Sequence, residues 1–168
     1  MRYSLFNRAI QTIAATESGA RFWSQVLHHV DRIGLKVSGN RLIVSAALSG
    51  LPVVMLTTVG AKSGLPRTVP LVAILEDDEN LSCFALIASN WGQLRYPAWY
   101  FNLKAHPQVI CRLRGQTATF LAQEVHGEDY DRIWTRAQQI YVGFAHYRQR
   151  LGERRKLPII MMQRQPEK

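Results

Sequence analysis

The run Gly60-Ala61-Lys62-Ser63-Gly64-Leu65-Pro66-Arg67 constrains this chain most, because it lies between two apolar, β-branched stretches, residues 53–59 and 68–75. Glycines give the backbone freedom of a tight turn and β-branched flanks favour strands, so the segment reads as two strands joined by a basic tip. That tip offers backbone N–H groups, a lysine, a serine hydroxyl and an arginine within a few residues, the donor set an anionic group such as a phosphate needs. The Lys62-Ser63 pair precedes Gly64 instead of following it, which excludes a Walker A loop, and the three spaced glycines of a dinucleotide fold are missing. A hairpin with a solvated basic tip accounts for the same residues without a ligand.

No charge occurs from Leu42 to Ala61, a run long enough for a membrane-spanning helix. Gly50 and Pro52 break it, Ser45 and Ser49 are polar, and its second half is β-branched like a buried strand, which is the stronger reading. Arg2 is followed by mixed polar and apolar residues, not the continuous apolar core of a secretory signal, so a cytoplasmic setting is expected. With 21 basic and 12 acidic side chains, the formal charge of +9 favours anionic partners: a phosphorylated cofactor, nucleic acid or an acidic lipid surface. Cys83 and Cys111 sit in strand-like apolar runs without metal-ligand spacing and read as small core residues, with no disulfide expected.

A chain of 168 residues suits a single domain, read as a helical N-terminal extension over 1–50 and a core over 51–168. Within residues 3–33, two amphipathic pieces meet at Gly19. Phe22 and Trp23, with Arg2, Arg8 and Arg21 nearby, offer a face for peripheral membrane contact, for the core or for a second subunit in a homodimer. Past the basic turn the pattern reads as a meander. Strands are expected at 68–75, 81–88, 108–113, 116–125 and 157–162, and the near-continuous apolarity of 81–88 predicts burial on both faces. Arg114-Gly115 signals a hairpin. Helices are expected from Pro97 to about Ala105, from Glu128 to about Tyr141, and over Phe144 to Leu151. No internal repeat or low-complexity segment is present. About six mainly antiparallel strands with flanking helices give an α+β sheet or barrel.

Three segments carry a resemblance. Thr57-Thr58-Val59-Gly60-Ala61-Lys62-Ser63-Gly64-Leu65-Pro66-Arg67 is followed by Ala88-Ser89-Asn90-Trp91-Gly92, and then by Pro97-Ala98-Trp99-Tyr100-Phe101-Asn102-Leu103-Lys104-Ala105-His106-Pro107. In that order they resemble the deazaflavin-dependent nitroreductase family, and the likeness extends from about Leu51 to Met162. The resemblance implies a split β-barrel of the FMN-binding, pyridoxamine-phosphate-oxidase type. It implies the deazaflavin coenzyme F420 as cofactor, with FMN as the alternative, and hydride transfer to a small, flat, apolar acceptor, quinone-like or nitroaromatic. It also implies that Lys62, Ser63 and Arg67 hold the phosphate and tail, that Thr68, Val69 and Pro70 line the path to the ring, that Ala88, Ser89 and Asn90 lie beside it, and that Trp99 and Asn102 support that wall.

A hydride carrier brings its own reactive carbon, so the protein need only grip the tail, present one ring face and exclude water. The chain accordingly carries no identifiable nucleophile triad, and its five histidines lack metal-ligand spacing. Two departures bear on activity. Ala61-Lys62 stands where the family often has two adjacent basic residues. Tyr141, Phe144 and Tyr147 stand where nitro-reducing relatives carry three tyrosines, leaving Tyr141 and Tyr147 as the candidate catalytic phenols. Two other classes compete: a non-catalytic flavin, haem or lipid carrier of the same fold, and a nucleic-acid binder using the cluster Arg148, Arg150, Arg154, Arg155 and Lys156, although no nucleic-acid motif accompanies it.

Overall fold

The computed structural model describes residues 50–77 and 81–166. The amphipathic pieces within 3–33, with the membrane or subunit contact read from them, lie outside the described residues. β1 (Val53–Val59) and β2 (Pro66–Val72) flank the basic turn. β3 (Cys83–Ile87) leads into the loop that carries Ser89, and α1 (Ala98–Ala105) follows it behind Pro97. β4 (Gln108–Leu113) and β5 (Gln116–Val125) form a hairpin, then α2 (Gly127–Ile140), α3 (Gly143–Leu151) and β6 (Ile159–Arg164) complete the chain. Between β4 and β5, Arg114 and Gly115 both have positive φ, 48° and 83°, the two-residue turn whose twist matches an antiparallel pair.

The strands form one sheet in the order β2-β1-β4-β5-β6-β3, every pair antiparallel. This corrects the meander: β3 pairs with β6, not with β2. The two outer strands still meet, because beyond the end of β2 Ile74 forms a bridge with Ala85 of β3, its N–H donating at 2.8 Å and its carbonyl accepting at 2.9 Å. One bridge between opposite edges curls the sheet into a split barrel, as expected. The uncharged run ends in a strand, Val53–Val59, and among the described residues no helix is long and apolar enough to cross a membrane.

Strand alternation divides the core in two. Val54 and Leu56 of β1, Phe84 and Leu86 of β3, Cys111 of β4, Phe120 of β5 and Met162 of β6 fill the barrel, which α1 plugs with Trp99 and Leu103. Ala85, Ile87 and Ile159 face the other way and pack on Ile133 and Ala137 of α2 and on Phe144, Tyr147 and Leu151 of α3. β3 is therefore buried on both faces. Cys83 and Cys111 are free thiols, and burial in the barrel pushes the Cys111 thiol up to about 12.

Candidate functional site

Gly60 is fixed by what closes over it. Its N–H donates to the Leu65 carbonyl at 2.9 Å and its own carbonyl accepts from Gly64 N–H at 2.8 Å. A Cβ at Gly60 would lie 2.5 Å from Ser63 Oγ. Ser63 is folded inward in this turn, with Oγ 3.4 Å from the Leu65 amide that donates to it. Gly64, at φ +66°, takes the left-handed conformation that glycine adopts without strain. Residues 61–68 are all exposed, Ser63 included, and Lys62 and Arg67 are the charged side chains among them. Among the described residues neither forms an ion pair, whereas Arg132 on α2 forms salt bridges with Glu76 and Asp129.

Asn102 connects this turn to α1. Its Oδ1 accepts the Ala61 N–H at 3.0 Å, a part-buried bond to the exposed turn, and its Nδ2 donates to Thr58 Oγ1 at 3.0 Å in the interior, where Thr58 and Asn102 are both buried. Thr58 in turn lies on the Arg67 carbonyl at 3.5 Å. Asn102 thus braces the basic turn, whereas the resemblance had it supporting the wall at Ala88–Asn90. Trp99, one turn earlier, is 7% exposed and belongs to the barrel core.

The register of β1 with β2 sorts the three residues expected along the ring path. Leu56 faces Val69, and Val69 packs against the barrel core. Thr57 faces Thr68, with their hydroxyls 2.9 Å apart, and Met55 faces Pro70. Thr68 and Pro70 therefore lie on one face and Val69 on the other. β2 pairs only with β1 among the described residues, which leaves the outer backbone groups of an edge strand for another partner. Two prolines, Pro66 and Pro70, suit that edge.

The segment after β3 has an unusual backbone. Ala88 is buried and Ser89 is in the right-handed region (φ −75°, ψ −35°), then Asn90, Trp91 and Gly92 are all left-handed at φ 46°, 57° and 71°. Two of these are not glycine, and each such residue costs on the order of 1–2 kcal/mol. Five contacts hold the shape. The Asn90 carboxamide donates to the Arg95 carbonyl at 2.8 Å, Gly92 N–H to Ser89 at 3.0 Å, and Arg150 to the Trp91 carbonyl at 3.2 Å. Arg155 donates to both the Ser89 and Arg95 carbonyls. Sequence reasoning placed Arg155 only in a solvated basic cluster, yet it is 5% exposed. No periodicity in residues 148–156 separates it from its exposed neighbours.

Tyr147 lies under this loop. A Cβ at Gly92 would come within 3.0 Å of its Cδ1. Tyr141 and Tyr147 share a hydrogen bond between their hydroxyls at 3.0 Å, and the Tyr141 ring covers Gly143, where an added Cβ would overlap it at 2.2 Å. Burial pushes both phenols above their ordinary range, most strongly Tyr147. Trp91, Tyr141, Phe144 and Tyr147 form one aromatic group, apart from Trp99. Among the described residues no cluster of His, Cys, Asp or Glu could hold a metal ion.

The arrangement is a cationic turn, an open strand edge and a preformed loop beside an aromatic cluster. A family model described as F420H(2)-dependent quinone reductase matches residues 33–164. The chain is similar to an F420H(2)-dependent quinone reductase of Mycobacterium tuberculosis, 31% identical over 116 residues that cover 67% of this chain and 74% of that protein. A solved F420-H2 dependent reductase, FDR-A, is 34% identical with a TM-score of 0.59, covering 67% of this chain and 94% of its own. Another solved structure, described as a domain-swapped dimer, is 29% identical with a TM-score of 0.62, covering 82% of this chain and 96% of its own. The chain belongs to the F420H(2)-dependent quinone reductase family.

Proposed function

We propose that this F420-dependent oxidoreductase reduces a flat, apolar, electron-poor acceptor of the quinone class, with the basic turn as its grip on the coenzyme. The observation that carries the reading is the pair Lys62 and Arg67, exposed and without carboxylate partners among the described residues, on a turn pinned by Asn102 beside the open edge of β2. That donor set fits the phosphate and acidic tail of coenzyme F420. When bound, the coenzyme supplies the hydride.

The chain's own residues supply the rest. Lys62 and Arg67 attract and orient the anionic end, while backbone groups of Thr68 to Pro70 and of Ala88 to Asn90 border the ring. Trp91 is half-buried at the edge of the aromatic cluster, and an uncharged aromatic face favours stacking with a planar acceptor over a charged one. Tyr141 and Tyr147 hold their protons through the neutral range. Tyr141, the less buried of the two at 6% against 2%, is the proposed proton source, because a raised phenol gives up its proton only as an oxyanion forms within reach.

Titrating the purified protein with F420 and with FMN, while following cofactor fluorescence, tests the grip. Mixing the reduced coenzyme with menaquinone-like analogues then tests the acceptor. Tight F420 binding and quinone-dependent reoxidation are expected. Preference for FMN, or reoxidation by a charged acceptor only, would overturn the proposal, and a ligand that binds without turnover would favour a carrier.

A further inference from the structure

Resting on that reading, we propose that Arg155 is a positioning residue for the coenzyme: its buried guanidinium holds the Ser89 and Arg95 carbonyls and thereby fixes the left-handed Asn90-Trp91-Gly92 backbone that borders the ring.

Arg155 is 5% exposed, and among the described residues no carboxylate pairs with it. Its partners are two carbonyl oxygens and the face of Tyr96, whose ring centroid is 4.8 Å from Cζ. Its Nε is buried without any partner. Desolvating a guanidinium for neutral acceptors is expensive, and packing alone would be met more cheaply by an apolar side chain. The two carbonyls lie at opposite ends of one loop. A planar fork with fixed donor directions can set the separation and orientation of both, which a single-point cation cannot.

The peptide planes state what is being positioned. In a trans peptide the C=O and the following N–H point in opposite directions. With the Ser89 carbonyl drawn toward Arg155, the Asn90 N–H is turned to the opposite side of the loop. Ser89 and Asn90 are a right-handed residue followed by a left-handed one (φ −75° and 46°), a pairing that turns successive N–H groups toward one concavity. The Ser89 N–H is taken by the Ile87 carbonyl at 2.8 Å, so the Asn90 N–H is the donor this concavity offers an electron-rich atom. Left-handed tryptophan and asparagine persist only where surrounding structure over-determines them. Arg155 supplies two of the contacts that do so, alongside Arg150 and Tyr147.

The experiment compares wild type with Arg155→Met, Arg155→Lys and Val109→Ala, the last a destabilised control in the barrel core. Hydrogen exchange of the cofactor-free proteins, F420 and FMN affinity, and circular dichroism induced in the bound chromophore are measured. Arg155→Met is expected to speed exchange across residues 89–96, weaken F420 binding tenfold or more and change the induced signal. Arg155→Lys, with the charge but no fork, should recover only part of the affinity, and Val109→Ala should lower the thermal midpoint while leaving loop exchange and the induced signal unchanged. Should Arg155→Met fail to fold, the lysine variant carries the comparison. Wild-type affinity and signal in the arginine variants would overturn the proposal even if their melting points fell. A wild type that binds no F420 would instead defeat the functional reading itself.

Discussion

Asn102 Oδ1 accepts the Ala61 N–H at 3.0 Å across 41 residues of sequence, so one side-chain amide on α1 sets where the basic turn stands relative to the barrel. Replacing Asn102 with alanine leaves the Thr58 hydroxyl without its donor, a loss of about 1–3 kcal/mol for a buried polar group. Chemical denaturation should register that loss, and F420 affinity should fall with it because the turn is released. A destabilised variant with full affinity would mean that the turn keeps its shape unaided.

Lys62→Ala with Arg67→Ala should separate binding from folding. Both side chains are exposed, where a lost charge changes stability by only about 0.5 kcal/mol. Each charge-assisted bond to a phosphate contributes roughly 1.5–3 kcal/mol, about 10- to 100-fold in affinity. The wild-type affinity should also weaken as salt rises. Titrations and melts of the two proteins at low and high salt check this, and unchanged affinity in the double variant would reduce the turn to a solvated hairpin tip.

The phenol pair predicts non-additive energetics. Tyr141→Phe or Tyr147→Phe alone strands a buried hydroxyl and should cost about 1–3 kcal/mol, whereas the double variant should cost less than the sum because both polar atoms leave together. A double-mutant cycle by denaturation measures the difference. Tyr141→Phe should additionally slow quinone reduction if its proton is the one delivered, while Tyr147→Phe should act mainly through stability. Strict additivity would mean that the 3.0 Å contact carries no coupling.

Alkaline pH should unfold the protein from a defined threshold. Burial, followed by its hydrogen bond to Glu124, pushes Tyr100 up to about 12, and Tyr141 and Tyr147 are raised as well. An unfolded tyrosine ionises near 10, so between about 10 and 12 the native state holds protons that the unfolded state has lost. Stability from these groups is fully present below pH 10 and declines above it. Thermal melts from pH 7 to 11.5 should be flat in this respect up to about 10 and fall beyond, less steeply in Tyr147→Phe.

Local signals in the sequence were reliable where local physics decides. The Gly60–Gly64 turn and the Arg114-Gly115 hairpin follow from glycine placement, and the doubly buried β3 from its near-continuous apolarity. Strand order did not follow, because the Ile74–Ala85 bridge and the β3–β6 pairing depend on which edges meet after folding. β2 also begins at Pro66 and ends at Val72, earlier than its β-branched run suggests, since its pairing with β1 and not its composition sets its length. At the site, the basic residues were legible from charge. Asn102 was marked by the resemblance alone, and its contacts with Ala61 and Thr58 span more than 40 residues, which no local pattern shows. Arg155 was hidden, because an arginine that points inward looks the same in sequence as the exposed Arg148, Arg154 and Lys156 beside it.

β1 stands between β2, its neighbour in sequence, and β4, which the chain reaches only after β3, the Ser89 loop and α1. The β1–β2 and β4–β5 hairpins close over short loops in microseconds, whereas joining them requires a long and slow closure. The basic turn thus belongs to an early hairpin, while the curled sheet around it exists only after the late pairings are made. Until then the facing edges of β1 and β4 are open to other chains. A ligand that touches both the turn and the loop after β3 can be held only by finished molecules, so cofactor supply during synthesis would bias newly made chains toward completion and away from aggregation.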